Sequence, residues 1–289
     1  MLVIHGGPGA TSLWYSGAAT TALQARYGMA FWDQRDAGAS AGNDNTDNLS
    51  LSQMTSDLAS VVRVLKYRYG ADIEVFLYAH SFGGLLAASY LTTGSNQDDI
   101  RGWIDIDGAH SYPLCNTLSR QMLIDTGVAE IARGSNADKW QPIVDWCRAN
   151  PANVSLDISM KTEDYAGDAE SYVPINPALP SIDWFSPSSP TSAGANLLRT
   201  NYTAGGRAFL QSLEPADFST QLAVVKIPSL LIWGRYDFVV PLGVGQNALA
   251  NLGSPVKQLV VLNHSGHGGM YTETNTVNQE IEDFIEANK

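Results

Sequence analysis

The segment FLYAHSFGGLL at residues 76–86 constrains the fold of this chain more than any other segment. An apolar run of strand length ends at Ser81, and an apolar run long enough for a buried helix follows at once. Ala79 and Gly83 lie two residues before and after the serine, where larger side chains would collide in a tight strand-to-helix turn. Such a turn places the hydroxyl at the N-terminus of a helix, whose dipole and free N–H groups stabilise an oxyanion. We therefore predict that Ser81 is a nucleophile; the alternative is a serine that only caps a helix.

The rest of the chain alternates apolar runs of strand length with helical patterns. The expected strands are 1–4, 28–36 (running into a loop), 73–79, 103–107, 227–234 and 256–263, and the expected helices are 51–69, 82–91, 244–252 and 276–288. Strands that alternate with helices in this way predict an α/β fold, in which a mostly parallel central sheet carries helices on both faces.

A change of composition between residues 112 and 222 predicts an insertion. Tryptophan, methionine, asparagine and proline cluster there, and no apolar run of strand length interrupts them. The alternation resumes with IPSLLIWG at 227–234. We therefore predict a core formed by residues 1–111 and 223–289, with an inserted helical cap or lid at 112–222.

Charge and cysteine content exclude several classes of partner and scaffold. The chain has 289 residues, of which 17 are basic and 29 acidic, and its formal net charge is −12. This excess of acids argues against a nucleic-acid or anionic-membrane partner, and no apolar run reaches the length of a membrane span. Cys115 and Cys147 are too few for a disulfide scaffold or a zinc site by themselves, and their pairing stays open. The sequence also leaves open the oligomeric state and the compartment, cytoplasmic or exported.

A nucleophilic serine needs a base to activate it and an acid to orient that base. His267 follows the last predicted strand in LNHSGHGGMY and is the predicted base, with His264 as the alternative. Asp237 follows a predicted core strand in WGRYDFVVP and is the predicted acid. Asp107, at the end of WIDIDG, is its rival because an acid there could also reach the histidine.

Short motifs along the chain carry a resemblance to a known family. They are HGGPG (5–9), DQRDAGAS (33–40), AHSFGG (79–84), GRYD (234–237) and SGHGG (265–269). In this order they resemble the α/β-hydrolase superfamily and, within it, the proline iminopeptidase group. The resemblance implies an α/β-hydrolase fold, chemistry without a cofactor or metal, and the chain order Ser81, Asp237, His267. It also implies that the backbone N–H groups of Gly7 and Phe82 form the oxyanion hole.

The resemblance also bears on residues outside the predicted triad. It implies that Asp33, Gln34 and Arg35 shape the wall of the site from beneath, so we interpret them as structural. Three positions depart from the pattern. Ala79 and Asp36 stand where glycine is usual, and Phe82 follows the serine where the iminopeptidases usually have tryptophan. In the iminopeptidases, acidic residues of the helical insert hold the free amine of an N-terminal proline. The candidates in this chain are Glu163, Asp164, Asp168, Glu170 and Asp183, and no motif selects among them.

The expected function follows from these residues and the resemblance. We expect a serine hydrolase that cleaves a small amide or peptide through an acyl-enzyme and, like a proline iminopeptidase, releases an N-terminal residue. A carboxylesterase acting on small acyl esters is the first alternative. A non-catalytic or truncated binding protein built on the hydrolase fold is the second. The expected partner is a small molecule or a short peptide.

The position of HGGPG at residue 5 is early for this family. In the family, two strands precede the strand that leads into this motif. The resemblance therefore implies that the chain lacks two N-terminal strands of the fold. The strand at 28–36 would then be an unpaired edge, which promotes aggregation.

Overall fold

The computed structural model describes residues 1–40, 49–178 and 193–289, with side chains omitted at 193–197. A sheet of 6 strands forms its centre, in the order β2-β1-β3-β4-β5-β6, and every pairing is parallel. The strands are β1 (Leu2–Ile4), β2 (Ala30–Trp32), β3 (Phe76–His80), β4 (Gly102–Ile106), β5 (Ser229–Gly234) and β6 (Lys257–Leu262). The predicted α/β architecture is confirmed.

Helices cover both faces of this sheet. In chain order, the helices of the described residues are α1 (Thr21–Gln24), α2 (Leu51–Tyr69), α3 (Phe82–Leu91), α4 (Tyr112–Arg133), α5 (Ala137–Ala149), α6 (Leu156–Glu170), α7 (Ala193–Tyr202), α8 (Ala204–Leu213), α9 (Leu242–Asn251), α10 (Gly269–Thr272) and α11 (Thr274–Asn288). Successive strand residues point to opposite faces, so Leu77 packs in one core cluster with α2, α3 and α9. Tyr78 packs in a second cluster with α1 and α11. Among the described helices, none combines the length and the apolar character needed to cross a membrane.

The parallel sheet brings the predicted site residues to one edge. In parallel strands the carboxyl ends lie together, and ligands bind in the crevice outside them. The loop at 5–9 follows β1, Ser81 follows β3, Asp237 lies beyond the end of β5, and His267 lies beyond β6. In the strand order, β2 and β6 are the two outer strands. Within the described part of the chain, β2 pairs with β1 alone.

The region between β4 and β5 is helical in its described parts, as the composition of 112–222 predicts. Helix α4 begins at a cap in which the Ser111 hydroxyl accepts from the Leu114 N–H at 3.3 Å. Helices α4, α5 and α6 share a small apolar cluster around the fully buried Trp140. Phe238, which follows Asp237 in the chain, belongs to the same cluster. The insert therefore packs directly against the loop that carries Asp237.

The two cysteines are buried and unpaired. Cys115 lies on α4 and Cys147 on α5. Burial raises the pKa of both thiols, that of Cys147 to about 11. The thiol forms therefore predominate at neutral pH, which makes both side chains unreactive.

Close backbone contact of α3 with the sheet gives a stability prediction. A Cβ atom at Gly83 would lie 2.1 Å from the carbonyl oxygen of Ile4 in β1. We expect Gly83→Ala to lower the free energy of unfolding by about 3 kcal/mol, the upper end for overpacking. Gly167→Ala is the matched control, because a Cβ there meets no atom within 4 Å. Urea unfolding of the two variants should separate them, and equal midpoints would contradict the packing argument.

Candidate active site

Ser81 occupies the strained turn that its sequence context predicts. It occupies the N-cap position of α3, without a capping hydrogen bond from its side chain, at φ 57° and ψ −125°, a backbone conformation unusual for a residue with a side chain. Its carbonyl oxygen accepts hydrogen bonds from the N–H groups of Gly84 at 2.8 Å and Ala109 at 3.0 Å. A Cβ at Gly6 would lie 3.0 Å from the Ser81 Cβ, so the glycine loop passes very close to the serine. These contacts fix the position of the hydroxyl.

The structure brings Ser81, His267 and Asp237 into one hydrogen-bonded chain. The Ser81 hydroxyl donates to His267 Nε2 at 2.9 Å. On the other side of the ring, His267 Nδ1 donates to Asp237 Oδ2, also at 2.9 Å. This geometry suits transfer of the serine proton to the imidazole while a carboxylate holds the ring.

The Asp237 carboxylate is fully buried and held by backbone donors. Its Oδ1 accepts from the N–H groups of Val240 at 2.7 Å and Val239 at 2.9 Å, which leaves Oδ2 for His267. Burial raises the pKa of Asp237, and hydrogen bonds from Val240, Val239 and Asp107 counteract this rise. The acid is therefore oriented before any substrate binds.

Asp107 lies beside Asp237 and makes no hydrogen bond to the His267 ring. Its Oδ1 accepts from the Gly234 N–H at 2.7 Å, and its side chain is hydrogen-bonded to Asp237. Burial and the negative charge of Asp237 raise the pKa of Asp107 well above the usual range. We therefore assign Asp107 as a neutral carboxylic acid that donates its proton to Asp237.

The second histidine of LNHSGHGGMY points elsewhere. His264 is exposed, and its backbone N–H donates to the Glu273 carboxylate at 2.6 Å. Its carbonyl oxygen accepts from the Asn176 N–H at 2.8 Å. Among the described residues, His267 is the histidine whose ring contacts Ser81.

A buried hydrogen-bond chain, which the sequence does not reveal, links the glycine loop to the His267 loop. The Gly6 N–H donates to the Tyr15 hydroxyl at 3.1 Å, and that hydroxyl bonds His80 Nδ1 at 2.7 Å. His80 Nε2 lies 3.1 Å from the carbonyl oxygen of His267. Because a carbonyl only accepts, Nε2 carries the His80 proton and Nδ1 accepts from Tyr15. Burial lowers the pKa of His80 well below the usual range, in keeping with this neutral form.

The backbone N–H groups of Gly7 and Phe82 are available near the serine. Both residues line the cavity that contains Ser81. Gly7 has φ 118°, and a Cβ there would lie 2.9 Å from the backbone nitrogens of Gly9 and Ala10. Within the described ranges neither N–H donates a hydrogen bond to the protein. Two unpaired donors beside a serine hydroxyl suit the binding of an oxyanion.

The DQR segment supports the glycine loop from below. The Gln34 N–H donates to His5 Nε2 at 3.0 Å, and the Gln34 side chain donates to the His5 carbonyl at 2.7 Å. The Asp33 carboxylate accepts from the backbone of Ser12 and Ala39, each at 2.7 Å. Arg35 pairs with Asp57 on α2 through two bonds of 2.7 and 2.8 Å. These contacts agree with a structural role for the segment.

A cavity of about 130 Å³ opens at Ser81, and the insert supplies most of its wall. Its apolar lining includes Phe82, Tyr112, Leu156, Met160, Leu210 and Val240. Two carboxyl groups, Glu163 on α6 and Glu214 at the end of α8, line the same cavity. Glu214 was not among the sequence candidates, because nothing near it in the chain distinguishes it from the other surface acids.

Comparison with known proteins supports this architecture. A family profile described as "alpha/beta hydrolase fold" matches residues 1–274. The chain belongs to the alpha/beta hydrolase fold family. Over its full length this hydrolase is also 25% identical to a proline iminopeptidase of Thermoplasma volcanium, across 293 aligned positions that cover 89% of that protein.

Two further relatives extend the comparison. A 2-hydroxy-6-oxononadienedioate/2-hydroxy-6-oxononatrienedioate hydrolase of Pseudomonas putida is 36% identical over 70 residues. That match covers 24% of each protein, so it spans only about a quarter of the curated relative. The solved structure of an esterase from Exiguobacterium antarcticum has a TM-score of 0.63 at 17% identity, covering 99% of this hydrolase and 91% of the esterase. At this identity the likeness shows the shared fold.

The acidic candidates of the insert occupy different places in this hydrolase. Glu163 lines the cavity and is exposed to it. Protein atoms nevertheless surround its carboxyl group, and this desolvation raises its pKa. Asp164 and Asp168 are exposed on α6 and line no part of the cavity. Glu170 contacts the backbone of the His267 loop. Asp183 lies outside the described residues.

No group of three or more histidine, cysteine, aspartate or glutamate side chains within residues 1–40, 49–178 and 193–289 is arranged to hold a metal ion.

Proposed function

We propose that this hydrolase uses Ser81 as its nucleophile to cleave a small amide or peptide with a free amino end, as a proline iminopeptidase does. The observation that most supports this proposal is a pair of 2.9 Å hydrogen bonds, which link Ser81 to His267 and His267 to Asp237. It lies beside a small cavity, and its acid is fully buried. This arrangement supports acyl transfer through a covalent intermediate.

In the proposed first half-reaction, Ser81 Oγ attacks the substrate carbonyl carbon while His267 Nε2 takes the hydroxyl proton. Asp237 stabilises the resulting imidazolium through Nδ1. The carbonyl oxygen becomes an oxyanion, which the N–H groups of Gly7 and Phe82 stabilise. When the intermediate collapses, His267 returns the proton to the leaving group, and an ester to Ser81 remains.

In the second half-reaction a water molecule attacks the acyl-enzyme. His267 takes a proton from that water and then returns it to Ser81 Oγ, which restores the free enzyme. Residues 112–222 act in this proposal as a cap that limits substrate size and excludes other water. The packing of Phe238 into the α4–α6 cluster supports this role, since it fixes the cap above the acid loop.

The acids of the cavity favour a substrate with a free amino end. Glu163 and Glu214 lie in the same cavity as Ser81, and a protonated amine complements a carboxylate. The Glu214 carboxylate accepts from the Ser159 hydroxyl at 2.7 Å, which fixes its orientation. The cavity volume of about 130 Å³ suits a small residue, because drug-sized ligands need roughly 300 Å³ or more.

A carboxylesterase for small acyl esters is the second candidate. The apolar part of the lining, with Leu156, Met160 and Leu210, would accept an uncharged acyl group equally well. An ester needs no carboxylate partner, so the two candidates differ in their use of Glu163 and Glu214.

Substrate comparison tests the proposed amine site. We expect proline 2-naphthylamide to be hydrolysed and N-acetylproline 2-naphthylamide to be resisted, since acetylation removes the charged amine. Glu163→Gln should lower kcat/KM for the free amine roughly 10- to 100-fold, as expected for loss of a charged hydrogen bond. The same variant should leave p-nitrophenyl acetate hydrolysis within about threefold, because that ester makes no such bond.

Asp164→Gln is the matched control, because Asp164 is an exposed acid on the same helix. It should leave both activities unchanged. Turnover of the ester alone, with no effect of Glu163→Gln, would overturn the peptidase proposal and support the esterase. No turnover of either substrate by folded protein would support a binding protein.

A further inference from the structure

Glu170, the last residue of α6, reaches from the cap into the loops that carry the proposed base and acid. Its Oε1 accepts a hydrogen bond from the backbone N–H of His267 at 2.9 Å. The same oxygen accepts from the backbone N–H of Phe238 at 3.4 Å. One oxygen atom therefore joins the base loop to the residue that follows Asp237.

The Glu170 carboxyl is also in close contact with the base loop. A Cβ atom at Gly266 would lie 2.1 Å from Glu170 Oε2, so a larger residue there would displace the carboxyl from this position. Ala166 and Ala169 of the same helix pack with Phe238 in the small apolar cluster. The end of α6 thus contacts both loops through apolar packing and hydrogen bonds.

The partners of this carboxyl are backbone donors. Within the described parts of the chain, no lysine or arginine forms an ion pair with Glu170. It also lines no part of the cavity at Ser81, so it lies outside the space proposed to bind the substrate. Its position outside the cavity distinguishes Glu170 from Glu163, and its hydrogen bonds to two backbone N–H groups distinguish it from the exposed Asp168.

We propose that Glu170 is a positioning residue, through which the cap holds the His267 and Asp237 loops in the geometry that the reaction requires. This inference rests on the proposed function, since it assigns catalytic roles to His267 and Asp237. Without the Oε1 acceptor, two enclosed N–H groups would lose their partner, and the loops would shift to find others. Small displacements of a catalytic base cost large factors in rate.

The role requires an acceptor oxygen and not a negative charge. Burial and the charge of Asp237 raise the pKa of Glu170 to about 7, so the carboxyl is partly neutral at physiological pH. Both hydrogen bonds go to the same oxygen. A glutamine at this position keeps that acceptor, whereas a leucine of similar size does not.

Two substitutions at Glu170 and one control test the proposal in the 289-residue chain. We expect Glu170→Leu to lower kcat roughly 10- to 100-fold while KM changes little, since the residue lies outside the cavity. Glu170→Gln should restore kcat to within about threefold of the wild type. Asp168→Leu, an exposed acid on the same helix, should behave as wild type.

The rate at which a fluorophosphonate probe labels Ser81 gives a second readout, because it depends on His267 but not on amine recognition. It should fall with kcat in Glu170→Leu and recover in Glu170→Gln. Circular dichroism and thermal unfolding would show that each variant is folded. If folded Glu170→Leu keeps wild-type kcat, or if Glu170→Gln is as impaired as Glu170→Leu, the positioning role is wrong. Full activity in Ser81→Ala would instead overturn the proposed function itself.

Discussion

Ser81→Ala should lower kcat/KM at least about 10,000-fold for every substrate that the enzyme turns over, as removal of a serine nucleophile does elsewhere. The alanine keeps the turn but removes the oxygen that lies 2.9 Å from His267 Nε2. Residual turnover would come from water held near the Gly7 and Phe82 N–H groups. Steady-state hydrolysis of proline 2-naphthylamide and p-nitrophenyl acetate measures the loss.

Ser119→Ala is the matched control for this substitution. Ser119 is a buried serine that lines the same cavity, but its hydroxyl has no hydrogen-bond partner among the described residues. The Ser119→Ala protein should retain activity, and a fluorophosphonate should label its Ser81. The Ser81→Ala protein should fold and resist labelling. A folded wild-type protein that takes up no probe would contradict serine catalysis and favour a non-catalytic role.

Most of the core could be predicted because local signals there agree with the tertiary structure. The helices at 51–69 and 82–91 match α2 and α3, since α2 has a capping serine and an apolar face and α3 is apolar and buried throughout. Strand ends were less accurate: the apolar run 73–79 predicts a strand from Ile73, whereas β3 begins at Phe76. Pairing fixes that boundary, because Phe76 pairs with Gly102 at the start of β4.

The segment that we propose as a cap shows what composition can and cannot predict. Its composition predicts helices between 112 and 222, yet it does not tell Glu163 in the cavity from Asp168 on the surface. Asp36 is a further residue whose contacts the sequence does not predict. Its φ of 62° is a conformation that glycine adopts more readily, which explains why glycine is usual at this position. Its carboxylate accepts a hydrogen bond from Arg199 of α7. Contacts between residues so distant in the chain leave no local pattern.

The sequence favours Asp237 over Asp107 as the acid but does not exclude Asp107, because both follow core strands. The structure distinguishes them by contact and by protonation. Asp237 bonds the His267 ring at 2.9 Å. Burial and the charge of Asp237 raise the pKa of Asp107, so Asp107 is the neutral partner. Two carboxyl-to-amide substitutions of equal size therefore should have very different effects.

Asp237→Asn should lower kcat roughly 1,000- to 10,000-fold, because an amide that donates to Nδ1 forces the ring proton onto Nε2. His267 then has no lone pair to accept the Ser81 proton. Asp107→Asn should stay within about tenfold of the wild type, since an amide N–H replaces the acid proton toward Asp237. The amide oxygen of this variant can still accept from the Gly234 N–H, which in the wild type lies 2.7 Å from Asp107 Oδ1. Single-turnover measurements on both folded variants would decide the matter: a severe loss in Asp107→Asn with little change in Asp237→Asn would make Asp107 the acid that serves His267.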